Sequence, residues 1–106
     1  MEQLKGHLDL LLLAIVAAGP TYGYDIVTQL HERSDGAFDL AEGTVYPALH
    51  RLERRSLLTS TTQQVNGRQR RTYRITAAGT RALRDERKQW TRYSNAINAT
   101  LGPAPA

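Results

Sequence analysis

Apolar residues recur along this chain every three or four positions over most of its length, and every second position in one short region. From about Leu4 to Ala18, Leu4, Leu8, Leu11, Leu12 and Ile15 share one helical stripe, while Leu10, Leu13 and Val16 make the other side apolar as well. A helix apolar nearly all round has to be covered on more than one side. In a domain this small the second cover is expected to be another copy of the chain, with Leu10 and Leu13 at the interface. Gly19-Pro20 ends this helix. Thr21 is placed to cap a second one, with Asp25 close to its positive end and Gly23, Ile26, Val27 and Leu30 facing inward. "SDGAF", Ser34 to Phe38, breaks it.

The third helical stretch is "EGTVYPALHRLERRS", Glu42 to Ser56. At about 100° per residue, Leu49 and Leu52 fall within about 40° of Val45, and Gly43, Pro47, His50, Arg51 and Arg54 lie on the opposite side. Glycine and proline weaken helices, and here they share the solvent face with the cations. A bare glycine lets backbone approach another molecule closely. Proline costs no hydrogen bond if the helix starts near Gly43; a start at Ala41 loses one. Ser56 follows, where glycine is the easier terminator.

The period-two region comes next. "LLTSTTQQV" and "RQRRTYRI" flank Asn66-Gly67, a strong hairpin signal because both turn positions need positive φ. That tip pairs Val65 with Arg68, Gln63 with Arg70, Thr61 with Thr72 and Thr59 with Arg74, a polar and basic face. Leu58 with Ile75 and Ser60 with Tyr73 form the other face, which packs on the helices. Arg71 points to the packed face and is expected to pair locally with a glutamate or a carbonyl. Thr76 then caps a long helix, about Ala77 to Leu101, stopped by Gly102-Pro103. Leu83, Trp90 and Ile97 recur every seven residues with Tyr93 beside them, a narrow seam of coiled-coil type that wants a partner. Gly79, in its first turn, is expected to serve close packing.

Three helices, a hairpin and a helix make a mainly α fold with a small β-hairpin, in the order of a winged helix-turn-helix with a C-terminal dimerisation helix. The divisions expected are 1–76 for the winged unit, 77–101 for the dimerisation helix and 102–106 for a loose tail.

Charge sharpens this picture. Residues 1–50 carry two Lys/Arg and seven Asp/Glu, net −5; residues 51–106 carry twelve and three, net +9, which together recover the chain's +4. A basic half on a small domain points to a polyanionic partner. In a helix-turn-helix the open face of the second helix enters the major groove. The contact set expected is therefore Tyr22, Gly43, Thr44, Tyr46, Pro47, His50, Arg51 and Arg54, with Asn66, Arg68 and Arg70 from the hairpin. Of Tyr22 and Tyr24, one belongs to the core, and spacing does not choose between them. Arg55 reads as a solvated flank, and Arg74 lies nearer the body of the domain.

Other chemistries find little support. With no cysteine, disulfides and thiolate catalysis are excluded. His7, His31 and His50 lack metal-ligand spacing, so no metal is expected. No nucleophile–base set, paired carboxylates or phosphate loop is visible, so neither an enzyme nor a cofactor is expected. The apolar run Leu8 to Gly19 is too short to span a bilayer and contains Asp9, and "MEQLKGH" is not a basic leader. A cytoplasmic protein without membrane association is expected.

"LKGHLDLLLLAIVAAGPTYGYDIVTQL", "FDLAEGTVYPALHRLERRSLL", "RRTYRITAAG" and "RKQW", in that order, resemble the PadR family of bacterial transcriptional regulators. The likeness covers about residues 4 to 93 and is to the short subfamily with one C-terminal helix. It implies a homodimeric repressor on a two-fold-related operator, with the "GTVYPALHRL" helix in the major groove and the wing near the minor groove. It also implies, in some members, an effector site by the tryptophan of the last helix, a position matched by Trp90. Two departures stand out: Ser56 occupies the usual glycine position, and the strand before Asn66 is uncharged.

The function expected is thus a repressor that binds a palindromic duplex as a homodimer joined through Leu10, Leu13, Leu83, Trp90, Tyr93 and Ile97. A small planar or hydrophobic effector at Trp90 is expected to release it. The alternative is a winged-helix protein-interaction module whose arginines meet an acidic partner.

Overall fold

A computed structural model of the chain describes residues 6–105. Its elements, in order, are α1 (Leu8–Ala17), β1 (Thr21–Tyr22), α2 (Gly23–Arg33), α3 (Glu42–Arg54), β2 (Leu58–Val65), β3 (Arg68–Ile75) and α4 (Ala77–Leu101). Helices α1, α2 and α3 and the base of α4 close over one core, and a three-stranded antiparallel sheet in the order β1-β3-β2 flanks it. This is a winged-helix fold.

Helix α1 is buried at Leu8, Leu12, Leu13, Ile15 and Val16. The expected stripe residue Leu4 lies outside the described residues, and Gly6 and His7 form a turn before the helix. One expectation is corrected here. Leu13 has 0% exposure within its own chain and presents nothing to a partner, whereas Leu10 is only half-buried. An apolar helix signals several covers, and α1 packs on α2, α3, α4 and β3 of the same chain.

The second helix also starts differently from the expectation. Tyr22, not Thr21, holds the N-cap position, and Thr21 belongs to β1, paired with Tyr73. The buried Thr21 hydroxyl donates to Asp25, whose carboxylate also accepts from Gln29 at 2.7 Å. At the far end Asp35 and Gly36 turn the chain with φ of 52° and 83°. The Ser34 hydroxyl bridges that turn, donating to the Leu30 carbonyl at 2.7 Å and accepting from the Phe38 amide at 2.9 Å.

Helix α3 anchors itself through Val45, Ala48, Leu49 and Leu52, all with 0% exposure. Its N-cap is Ala41, whose carbonyl accepts from the amides of Thr44 and Val45. Pro47 therefore sits inside the hydrogen-bonded ladder, and the carbonyl of Gly43 goes without its donor. At the other end the Leu57 amide bonds to the Leu52 carbonyl and the Ser56 amide to that of Glu53. That is a Schellman closure with Ser56 at φ 61°, a left-handed residue where glycine is the usual occupant.

The hairpin pairs in the expected register throughout, from Leu58 with Ile75 to Val65 with Arg68. Asn66 and Gly67 form its turn at φ 52° and 77°. Thr76 caps α4 by accepting from the Gly79 amide at 3.0 Å, and its hydroxyl donates to the Ser56 carbonyl at 2.7 Å. One side chain thus ties the end of α3 to the start of α4. A Cβ on Gly79 would overlap the Leu57 carbonyl, which is the close packing expected of that glycine.

Leu83 is corrected in the same way as Leu13: at 7% exposure it completes its own chain's core. Beyond it α4 leaves the body. The helix is about 37 Å long at 1.5 Å per residue, and the molecule measures 58 × 28 × 21 Å. Trp90, Tyr93, Ile97 and Leu101 stay exposed along its outer half. Among the described residues no helix is long and apolar enough to cross a membrane.

Candidate nucleic-acid interface

Burying Val45, Ala48, Leu49 and Leu52 fixes what α3 shows to solvent. Gly43, Thr44, Pro47, His50 and Arg54 are all exposed, and nothing lies within 4 Å of where a Cβ on Gly43 would be. The face combines bare backbone, a Gly43 carbonyl that lacks its usual i+4 amide donor, an imidazole and a guanidinium. Arg54 has no ion-pair partner among the described residues.

Tyr46 has a structural tie as well as an open side. Its ring lies against the Gly23 backbone, where a Cβ would come within 2.6 Å of the ring and hydroxyl, and it keeps 40% exposure. Partial burial, followed by the negative charge of Glu42, raises its pKa. The phenol stays protonated at neutral pH and can donate a hydrogen bond. Gly23 is thus the seat for a ring of α3, a role that its place in an inward stripe did not disclose.

The wing is fastened to α3 through Glu53. Its carboxylate accepts from the Ser60 hydroxyl at 2.6 Å and lies 3.9 Å from the guanidinium of Arg71, the local pairing expected for that arginine. Nearby, Tyr73 is 2% exposed and its pKa is raised, chiefly by burial. The tip is open: Asn66, Gly67 and Arg68 are all exposed, and Arg68 has no ion-pair partner among the described residues.

Two of the expected contact arginines have protein partners. Arg70 stacks over the Tyr22 ring, 4.1 Å from its centroid, and its Nε is buried without a hydrogen-bond partner. Cation–π contact of this kind holds a guanidinium in place while its outer nitrogens stay free. Neither tyrosine joins the core, contrary to the expectation for one of them: Tyr22 is half-buried under Arg70, and Tyr24 is 65% exposed. Arg51 lies 3.6 Å from Asp9 of α1, and Arg55, one turn on, lies 3.5 Å from the other oxygen of Asp9. Arg55 is therefore partnered rather than a merely solvated flank. Both guanidiniums remain about half exposed, and ion pairs at such sites contribute only about 0–1 kcal/mol. The open face thus reduces to the Gly43–Pro47–His50–Arg54 line, with Arg51 held to one side.

Behind that side, between α1 and α4, lies a cleft of about 560 Å³ walled by His7, Asp9, Glu86, Gln89, Trp90 and Tyr93. The His7 ring stands edge-on to Trp90 with centroids 4.9 Å apart, and Tyr93 lies 6.0 Å from Trp90. Burial and the charge of Asp9 raise the pKa of Glu86, while Arg55 lowers it. Among the described residues no three His, Cys, Asp or Glu side chains converge to hold a metal ion.

Comparison with known proteins places this geometry in a family. The family model described as the transcriptional regulator PadR-like family matches residues 12–85. A transcriptional regulator of Mycobacterium tuberculosis is 47% identical over 57 residues, which are 54% of this chain and 53% of that one. A transcriptional regulator from Clostridium thermocellum superposes with a TM-score of 0.89 at 25% identity, covering 96% of this chain and all of the other. A PadR family transcriptional regulator from Eggerthella lenta superposes with a TM-score of 0.83 at 31% identity, covering 97% and 88% of the two chains.

Proposed function

Because the chain belongs to the PadR-like family of transcriptional regulators, we propose that it is a repressor that binds duplex DNA as a homodimer and is released by a small effector. The observation that carries this reading is the open face of α3. Four residues with 0% exposure hold the helix, while Gly43, Pro47, His50 and Arg54 face solvent as one line. Such a helix enters the major groove with its N-terminal end forward. Gly43 lets backbone come close, Thr44, Tyr46 and His50 offer hydrogen-bonding tips, and Arg54 reaches guanine or phosphate. The wing lies beside the backbone of the duplex with Asn66, Arg68 and Arg70, and Tyr22 positions Arg70 there. Arg51 reaches phosphate once it leaves Asp9.

The dimer forms through the outer half of α4. Trp90, Tyr93 and Ile97, exposed by 41%, 56% and 39%, make an apolar strip that the described residues of their own chain cover only in part, and the half-buried Leu10 adjoins them. Two recognition helices about 34 Å apart meet successive major grooves, so the preferred site is palindromic. A planar or apolar effector beside Trp90 shifts that spacing by binding one dimer arrangement more tightly than the other. The salt dependence of binding to a duplex tests the proposal. If phosphate contacts dominate, log K falls linearly with log salt at about −0.9 per contact. A flat response, or a monomer under the same conditions, contradicts it.

A further inference from the structure

Resting on the reading of α3 as a duplex reader, we propose that the outer face of α4 holds a second DNA segment, so that one homodimer bridges two duplexes. Residues 51–106 carry twelve Lys/Arg, and five of them, Arg81, Arg84, Arg87, Lys88 and Arg92, lie on α4, outside the contact set of α3 and the wing. All five are exposed, and none has an ion-pair partner among the described residues. At about 100° per residue, Arg81, Arg84, Lys88 and Arg92 fall within an arc of about 80° and run for about 17 Å along the helix axis. Thr91 and Asn95 lie beside them and line a shallow depression with Arg87, Lys88 and Arg92. Cations flanked by hydroxyl and amide tips are the side chains that contact phosphate oxygens.

Charge and direction choose the occupant. Arg84 with Lys88, and Lys88 with Arg92, are like-charge pairs at i, i+4, which weaken a helix. Asp85 stands at the edge of the stripe, within ion-pair distance of none of them. A duplex supplies the missing counter-charges at one per about 1.7 Å of its axis. Between residues 81 and 92 the stripe carries no apolar side chain, whereas amphipathic helices that lie on lipid insert apolar ones. Trp90, Tyr93 and Ile97 are on the opposite side of α4, about 170° round the helix, so a dimer joined through them leaves the stripe open. The stripe also faces away from α3. Glu86, about 155° from it, lines the α1–α4 cleft with Asp9, whose carboxylate meets Arg51 and Arg55 at the end of α3. A duplex lying on the stripe is therefore a different segment from the one on α3.

Sedimentation velocity of the full chain at low salt, with an excess of a mixed-sequence duplex of about 24 base pairs, tests this. The parent dimer is expected to carry at least two duplexes. The Arg84→Gln, Lys88→Gln, Arg92→Gln triple variant should carry one, with affinity for that first duplex within about two-fold of the parent's and for the second weakened at least about ten-fold. The slope of log K against log salt for the second duplex should fall by about 2.7, for three lost phosphate contacts. Arg84→Lys with Arg92→Lys keeps the charge and should keep the second duplex. A parent that saturates at one duplex, or a triple variant that still takes two, overturns the bridge and leaves the α3 reading standing. Loss of the first duplex in the triple variant merges the stripe with the α3 site and also overturns it. So does a stripe that binds phosphatidylserine vesicles or polyglutamate in preference to the second duplex. A parent that binds no duplex overturns both readings.

Discussion

Replacing Gly43 with alanine should make the folded chain more stable and its hold on DNA weaker. Gly43 is the second residue of α3, and no atom lies within 4 Å of the added methyl group. The free protein therefore accepts alanine without a clash. Alanine is favoured over glycine in a helix interior by about 1 kcal/mol, and somewhat less near an end, so a gain of ~0.5–1 kcal/mol is expected. For a domain of this size that raises Tm by about 3–5 °C. On DNA the same methyl stands where backbone is proposed to approach bases or phosphate. Overfilling a close contact costs ~1–3 kcal/mol, or at least about five-fold in affinity. Thermal unfolding followed by circular dichroism and binding followed by fluorescence anisotropy measure the two effects on one preparation. A variant that is more stable but binds DNA as tightly as the parent removes Gly43 from the interface. A less stable variant contradicts the open position assigned to it.

Gly79→Ala should act in the opposite sense on stability, costing about 2 kcal/mol or more, because its methyl meets the Leu57 backbone and lies 2.7 Å from Ile75 Cγ1; urea unfolding measures this. Ser56→Gly should stabilise by ~0.5–1 kcal/mol, since it relieves a left-handed serine at φ 61° but adds glycine's freedom to the unfolded chain; an unchanged or lowered urea midpoint contradicts that strain. Glu86→Gln should be more stable than the parent at pH 7, with the difference vanishing as pH falls below about 4. The sign follows from a folded-state pKa raised above its ordinary 4.5: the protonated form is favoured by folding, and stability is lost as pH rises through the folded value. A difference that instead grows in acid refutes the assignment.

Local chemistry made much of this fold readable from sequence. Asn66-Gly67 specifies the hairpin tip, and one tip sets every pair from Val65–Arg68 to Leu58–Ile75. Thr76 and Gly102 bound α4 because cap and terminator act within a turn of themselves. Helical periodicity separated the buried Val45–Leu49–Leu52 side of α3 from its open side, which is most of the candidate site. What escaped depends on contacts between distant segments. The two-residue strand β1 is too short to show a period, so Thr21 read as a cap. Apolar residues all round α1 announced several covers without saying which chain supplies each, hence the misplacement of Leu13, and the seven-residue recurrence along α4 grouped Leu83 with Trp90 and Ile97 although its end of the helix packs on its own core. The Arg70–Tyr22 and Arg51–Asp9 contacts join residues more than forty positions apart. A sign was present in the 51/55 spacing, which stacks two arginines on one side of α3, but nothing local pointed to Asp9.

The claim on which the account depends is that two copies of α3 read duplex DNA with the Gly43–Arg54 face. Selection of bound duplexes from a random-sequence pool, run with the parent and with Arg54→Ala, addresses it directly. The account predicts enrichment of a two-fold-symmetric site with half-sites centred about one helical turn apart. It also predicts that Arg54→Ala loses preference at one position in each half-site, or about 1–3 kcal/mol of affinity. A folded chain that enriches no sequence, or an Arg54→Ala protein that enriches the same site with equal strength, contradicts it.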